Sequence, residues 1–248
     1  MMETQGPISF SAWDMARILA HEKAQTRRPV KPQPVWETDW PDRLSGLPPE
    51  FRDATGRYFK SPYHIGDLRW CREPWRIISW DGDFWRLDIE YRDGTVRECT
   101  VDSERDEDWT GRVWCQCDDD MEKAGVKLNA FTELYDLPAD GKLPTRWRPG
   151  MFMPREFSRA MVEIESVRGE RVQRITEDDA LAEGIHLRPV AETHMWCWDD
   201  SLTAHAFWIP VEAYRSLWNS LYGHKPPYRW DLDPFCWVYG FRLVVPAP

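Results

Sequence analysis

The apolar positions of this chain change period along its length, and the changes mark out elements. Met15, Ile18 and Leu19 share one helical face behind Ser11-Ala-Trp-Asp14, an N-cap with an acidic residue three positions on. That spacing predicts a short helix over about 12–20. The stretch ITEDDALAEGI (175–185) carries the same signals: Thr176 as N-cap, Asp179 three residues later, Ile175 and Ala180 to staple the entry, and Gly184 at the exit. Tyr214, Leu217, Trp218, Leu221 and Tyr222 give a third helix from Pro210, closed by Gly223.

Elsewhere the period is two. Ala160, Val162 and Ile164 alternate within 159–167, and Phe235, Trp237, Tyr239, Phe241 and Leu243 within 234–245. Both segments read as strands, the second as a closing strand. Gly66-Asp67 turns the chain into another strand, and turns at Asp81-Gly82-Asp83 and Asp93-Gly94 divide residues 76–101 into a meander. Residues 29–62 hold Pro29, Pro32, Pro34, Pro41, Pro48, Pro49 and Pro62, so a long surface loop is expected there. The acidic SERDEDW (103–109) and residues 118–145 read as solvated insertion. The order of elements suits an α+β fold, a mixed β-barrel with short flanking helices and long loop and hairpin insertions. We expect one domain over 1–248, with insertions at about 29–62, 76–145 and 186–208.

Composition narrows the function. The chain has 248 residues with 42 acidic against 32 basic side chains, a formal charge of −10. Such a body repels a phosphate backbone at long range, so a nucleic-acid contact needs a local basic patch, or the ligand must be small. The 16 tryptophans call mostly for burial. No apolar run approaches the roughly 18 residues that a membrane span needs. The scattered cysteines and an N-terminus without an apolar leader core suggest a cytoplasmic protein with reduced thiols. Cys115-x-Cys117 has ligand spacing but lacks a second Cys/His pair, and the histidines are dispersed, so neither a metal nor a cofactor is expected.

Two placements break local rules. Lys23, Thr26, Arg27 and Arg28 crowd the exit of the first helix, where the approach to Pro29 forces an extended backbone and puts Thr26 and Arg28 on one face. A buried lysine can serve as a base, and a threonine hydroxyl needs one to act as a nucleophile. Glu183 lies in the last turn of its helix, where the dipole disfavours a carboxylate, unless it meets a cation such as Lys23.

The segment ILAHEKAQTRR (18–28) is similar to the ILxGxKTxTxR signature that opens ASCH domains of the PUA-like superfamily, and ITEDDALAEGI resembles the later helix of that domain. Further segments resemble the longer ASCH proteins of bacteriophages and prophages: GDLRWCREPW, Met153 to Arg159, Trp218 to Gly223, and Trp230 to Phe241. The resemblance implies the PUA-like barrel, a phage or prophage origin within a bacterial cytoplasm, and a pocket for a nucleoside or for RNA or DNA. It also implies the catalytic set of the bacterial N4-acetylcytidine amidohydrolases, with Thr26 as nucleophile, Lys23 as base and Glu183 holding the lysine or protonating the leaving amine. Arg28 or a backbone N–H would meet the oxyanion. The family glycine before the lysine is replaced by His21-Glu22, which costs a left-handed turn about 1 kcal/mol.

The alternative is a non-catalytic RNA- or DNA-binding module, or a nuclease. Its ligand-contacting residues would be Arg27, Arg28, Lys31, Trp70, Arg155 and Arg159, with Arg146 and Arg148 in the same groove and Trp75 or Trp147 stacking a base.

Overall fold

The structure is a computed structural model, and the residues it describes are 4–34, 51–52, 58–80, 86–101, 107–126, 128–129, 134–135, 141–190, 192–199 and 206–244. In chain order the first elements are β1 (Thr4–Ser9), α1 (Ala12–Leu19), β2 (Gln25–Pro29), β3 (Phe51–Arg52), β4 (Tyr58–Phe59) and β5 (Leu68–Arg72). Next come β6 (Trp75–Trp80), β7 (Arg86–Tyr91), β8 (Val96–Thr100), α2 (Glu107–Lys123), β9 (Leu128–Asn129) and β10 (Leu134–Tyr135). The last are β11 (Met161–Arg171), α3 (Glu177–Ala182), β12 (His186–Val190), β13 (Thr193–Cys197), α4 (Pro210–Tyr222) and β14 (Phe235–Val244). The fold is α+β, and among the described residues no helix is long and apolar enough to cross a membrane.

Where the sequence suggests one domain with insertions, the chain gathers into two compact units: residues 1–6, 16–69 and 160–248, and residues 7–15 and 70–159. The first is built on the sheet ordered β1-β5-β11-β14-β2, to which β1 and β5 contribute their residues up to Gly6 and Arg69. Among the described residues this sheet is open, with β1 and β2 at its edges, rather than the closed barrel expected from the order of elements. Its spine is the antiparallel pair β11–β14, running from Met161 opposite Val244 to Arg171 opposite Phe235. A bulge between Ile164 and Ser166 brings Ser166 Oγ against Gly240, where a Cβ would sit 2.3 Å away, so a larger residue there requires the Ser166 side chain to turn aside. On one flank α4 packs against α3 and β13, and its Trp218 indole donates to the Tyr228 carbonyl at 2.8 Å.

The second unit holds the meander β6-β7-β8, as the turn chemistry predicts; its Asp93-Gly94 turn uses Gly94 at φ +83°. The turn expected at 81–83 lies outside the described residues. The meander's inner face buries Trp75, Ile77, Leu87, Ile89 and Tyr91 against Val113, Cys117 and Phe157.

One expectation requires correction. The stretches read as solvated insertion, 103–109 and 118–145, are bridged by α2, a helix of 17 residues that overlaps both. Trp109, Val113, Cys117 and Met121 recur every fourth residue and turn one stripe inward, while Asp118, Asp119 and Glu122 are exposed. Cys117 is therefore a buried core residue and Cys115 an exposed one, and among the described residues no group of three or more His, Cys, Asp or Glu is placed to hold a metal. Within the insertion expected at 186–208, Met195 to Cys197 close the hairpin β12–β13, and the Trp198 indole donates to Ser216 of α4 at 3.2 Å.

Candidate functional site

Within the first unit the exit of α1 places Lys23. The predicted helix is capped as expected, Ser11 and Asp14 exchanging backbone and side-chain hydrogen bonds. At its far end His21 takes the left-handed conformation, φ 59°, in the place where the ASCH signature has glycine. The turn lets the N–H groups of both Glu22 and Lys23 bond to the Arg17 carbonyl. Ala24 then bridges two elements: its N–H donates to Ala182 at the end of α3, and its carbonyl accepts from Phe241 of β14.

Glu183 is placed by α3. Thr176 and Asp179 form a capping box, and the helix ends with Glu183 as C-cap and Gly184 at φ +96°. The awkward carboxylate at the helix C-terminus is met by two cations. Lys23 Nζ donates to Glu183 Oε2 at 3.0 Å and to the Glu183 carbonyl at 2.6 Å, which also satisfies one orphan carbonyl of the helix end. Arg27 Nη1 donates to Glu183 Oε1 at 3.2 Å. The Lys23 and Glu183 side chains are only 2% and 3% exposed.

The cluster extends inward. Arg27, with a side chain 0% exposed, also pairs with Glu170 at 2.7 Å and Asp179 at 3.0 Å. Arg168 donates to Gln25, Asp179 and Glu170. Lys23, Arg27 and Arg168 thus face Glu170, Asp179 and Glu183, and the formal charges cancel. Burial works against the Arg27 charge, but Glu183 and then Tyr214, Cys236 and Glu170 raise its pKa above the ordinary arginine value. Burial likewise opposes ionisation of Asp179, and Arg27 and Arg168 outweigh it, taking the carboxyl down to about 2. Tyr214 and Cys236, both buried beside the cluster, are pushed up chiefly by burial.

Thr26 is positioned differently. Strand β2 pairs antiparallel with β14, Thr26 opposite Tyr239, Arg27 opposite Val238 and Arg28 opposite Trp237. Side chains alternate, so Gln25 and Arg27 turn to the ionic cluster while Thr26 and Arg28 turn to the face of Trp237 and Tyr239. Thr26 and Arg28 share a face, as an extended run predicts. Among the described residues no hydrogen bond joins the Thr26 hydroxyl to Lys23 or Glu183. Tyr239 shares a hydrogen bond of 3.1 Å with Ser61, its ring meets Tyr63 edge-on at 5.0 Å, and Arg69 lies over Tyr63 at 4.8 Å.

The remaining candidates scatter. Arg27 is sealed inside the cluster and reaches no ligand at the surface. Lys31 is exposed and its ammonium lies 5.6 Å from the Tyr228 ring. In the second unit Arg159 forks onto Glu73 at 2.7 and 2.8 Å and pairs with Asp93, which commits it internally. Trp70 is half-buried under Arg72, and Arg155 is exposed on the wall of a cleft. Sequence reasoning missed Glu170, Asp179 as an ion-pair partner, Arg168 and Tyr214. The first and third lie on β11 beyond the bulge between Ile164 and Ser166, which moves them off the face of Val162 and Ile164, so the alternation read from the sequence does not point to them. No family model, curated protein or solved structure matches the chain.

Proposed function

We propose that the first unit is an ASCH-type, PUA-like module holding a nucleoside, and that it hydrolyses the amide of N4-acylated cytidine. The observation that carries this reading is the Lys23–Glu183 pair, 3.0 Å long and sealed from solvent. A buried ion pair is a poor way to stabilise a core, because desolvation offsets most of its attraction, and such pairs are found where a charge is put to use. Thr26 lies on the adjoining strand β2, and among the described residues no side chain is hydrogen-bonded to its hydroxyl. In the reaction Lys23 first gives a proton to Glu183 and turns to Thr26 as the ligand closes the pocket; Thr26 Oγ then attacks the acyl carbon while its proton passes to the neutral Lys23 amine. The cytidine N4 leaves as it takes up a proton, and water then cleaves the threonyl ester to release the carboxylic acid. Arg28, on the Thr26 face, meets the oxyanion.

A second reading is favoured by the way Thr26 on β2 faces away from the ionic cluster of Lys23 and Glu183, and by the neutrality of that cluster. In it the module binds a nucleoside or nucleic acid without chemistry, Lys23 and Glu183 shaping the fold.

The test is incubation of the purified protein with N4-acetylcytidine and other N4-acylated cytidines, read by chromatography, beside Thr26→Val and Glu183→Gln. Turnover by wild type that Thr26→Val abolishes without lowering the melting temperature supports hydrolysis. Absence of turnover with every acyl group sinks it and leaves the binding reading, for which RNA or DNA affinity must fall steeply with salt.

A further inference from the structure

The second unit carries a cleft of about 770 Å3 walled by α2 and residues 146–156. Its floor is set by backbone pairing: Trp75 and Arg148 exchange N–H to carbonyl bonds of 3.1 and 2.7 Å, which lays residue 148 against the first strand of the meander. The Arg148 guanidinium sits 5.4 Å from the Trp75 ring and the residue is 5% exposed. Its Nη1 reaches the Arg146 carbonyl and its Nη2 the Cys117 sulfur, but among the described residues no carboxylate pairs with it and its Nε has no acceptor. The Trp75 indole N–H on the same wall also lacks one. Cys117 supplies no negative charge, since burial pushes its thiol up further than Arg148 draws it down. A buried guanidinium with no counter-charge is costly for the protein alone.

The rest of the lining has the matching character. Arg112, Arg146 and Arg155 stand exposed around the opening, and Glu156 is the acidic residue of the wall. Asp120 answers Arg146 at 3.6 Å. Among the described residues the wall holds more arginines than carboxylates, four against Glu156 and Asp120, on a chain whose own charge is −10. Trp109, Trp147 and Phe152 supply flat apolar surface, with Phe152 62% exposed. A phosphate monoester carries about −1.5 to −2 at neutral pH and accepts through three oxygens, which suits this surplus better than a single carboxylate. A cleft of this size also admits a base beside it, and aromatic walls stack any base.

We propose that this cleft binds a nucleotide through its phosphate, free or at the end of a strand, with the base against the tryptophans. The site shares no residue with Lys23, Thr26 or Glu183 and stands whether or not the first unit is a hydrolase. The exposed arginines gather the phosphate over Arg148, whose charge is thereby answered, and specificity for the base is low because stacking is sequence-tolerant.

Calorimetric titration of the full chain with uridine and adenosine monophosphates, their nucleosides, inorganic phosphate, and short oligonucleotides with and without a 5′-phosphate tests this. The monophosphates bind at least about tenfold tighter than the nucleosides, and Arg146→Ala and Arg148→Met each weaken them by about tenfold while the melting curve persists. Inorganic phosphate competes. Preference for the phosphorylated oligonucleotide over the monophosphate identifies a strand end as the source, and the reverse order a free nucleotide; either supports the site. Equal affinity for nucleoside and monophosphate, unchanged binding in both arginine variants, or no binding of any phosphorylated probe at millimolar concentration overturns it.

Discussion

The two units treat buried arginine in opposite ways. In the first, Arg27 is enclosed by Glu170, Asp179 and Glu183, and Lys23 and Arg168 complete a cluster whose charges cancel. In the second, Arg159 is closed in the same manner by Glu73 and Asp93, but Arg148 lies under an open cleft and, among the described residues, pairs with no carboxylate. A closed cluster holds elements together, and its members are locked. An unanswered cation leaves stability unused and is available to a ligand.

Breaking a closed pair is the severest test of the contrast. Glu183→Gln leaves Lys23 and Arg27 short of a counter-charge, and Arg159→Met strands Glu73, which is 1% exposed. Each substitution is expected to cost about 3–5 kcal/mol in urea denaturation. A loss under about 1 kcal/mol in either would show that the clusters relax freely, and the distinction between the units would fail.

Acid sharpens the contrast at intermediate size. The folded pKa of Asp179 lies at about 2, below its ordinary 3.8, so the unfolded chain binds more protons between those values. Its contribution, roughly 2 kcal/mol, is present above about pH 4 and is lost as pH falls towards 2. Asp179→Asn should flatten the acid limb of stability against pH. Glu73 has the opposite sign: burial raises its pKa against the pull of Arg159, so protonation favours the folded form as pH falls. Glu73→Gln should therefore steepen the acid limb, and parallel slopes in the two variants would contradict the assignment.

The smallest expected change is the most telling. Arg148→Met removes a buried charge without stranding a carboxylate and keeps most of the side-chain volume, so stability should stay within about 1 kcal/mol of wild type or rise. A large loss would mean that Arg148 is a structural cation after all.

How much of this was legible depends on range along the chain. The boxes at Ser11/Asp14 and Thr176/Asp179, the helix from Pro210 and the alternation of β14 are set by neighbours three or four residues away, and the sequence alone predicts each of them. Helix α2 was written as plainly, in Trp109, Val113, Cys117 and Met121, but Cys117 read as a metal-ligand candidate conceals the period. The candidate site was legible in its residue types and in the shared face of Thr26 and Arg28.

Other features were decided only by tertiary structure. The partner of Lys23 lies 160 residues away. The pairing of β2 with β14 turned Arg27 inward and separated Thr26 from Glu183. The packing of α2 and residues 146–156 left Arg148 without a carboxylate. Hydrogen-bond geometry and side-chain period act within a few residues, so the sequence by itself determined the elements, their caps and the charges they carry. Which charge meets which, and which is left to a ligand, depends on distances between segments far apart in the chain, and the packed fold alone sets those distances.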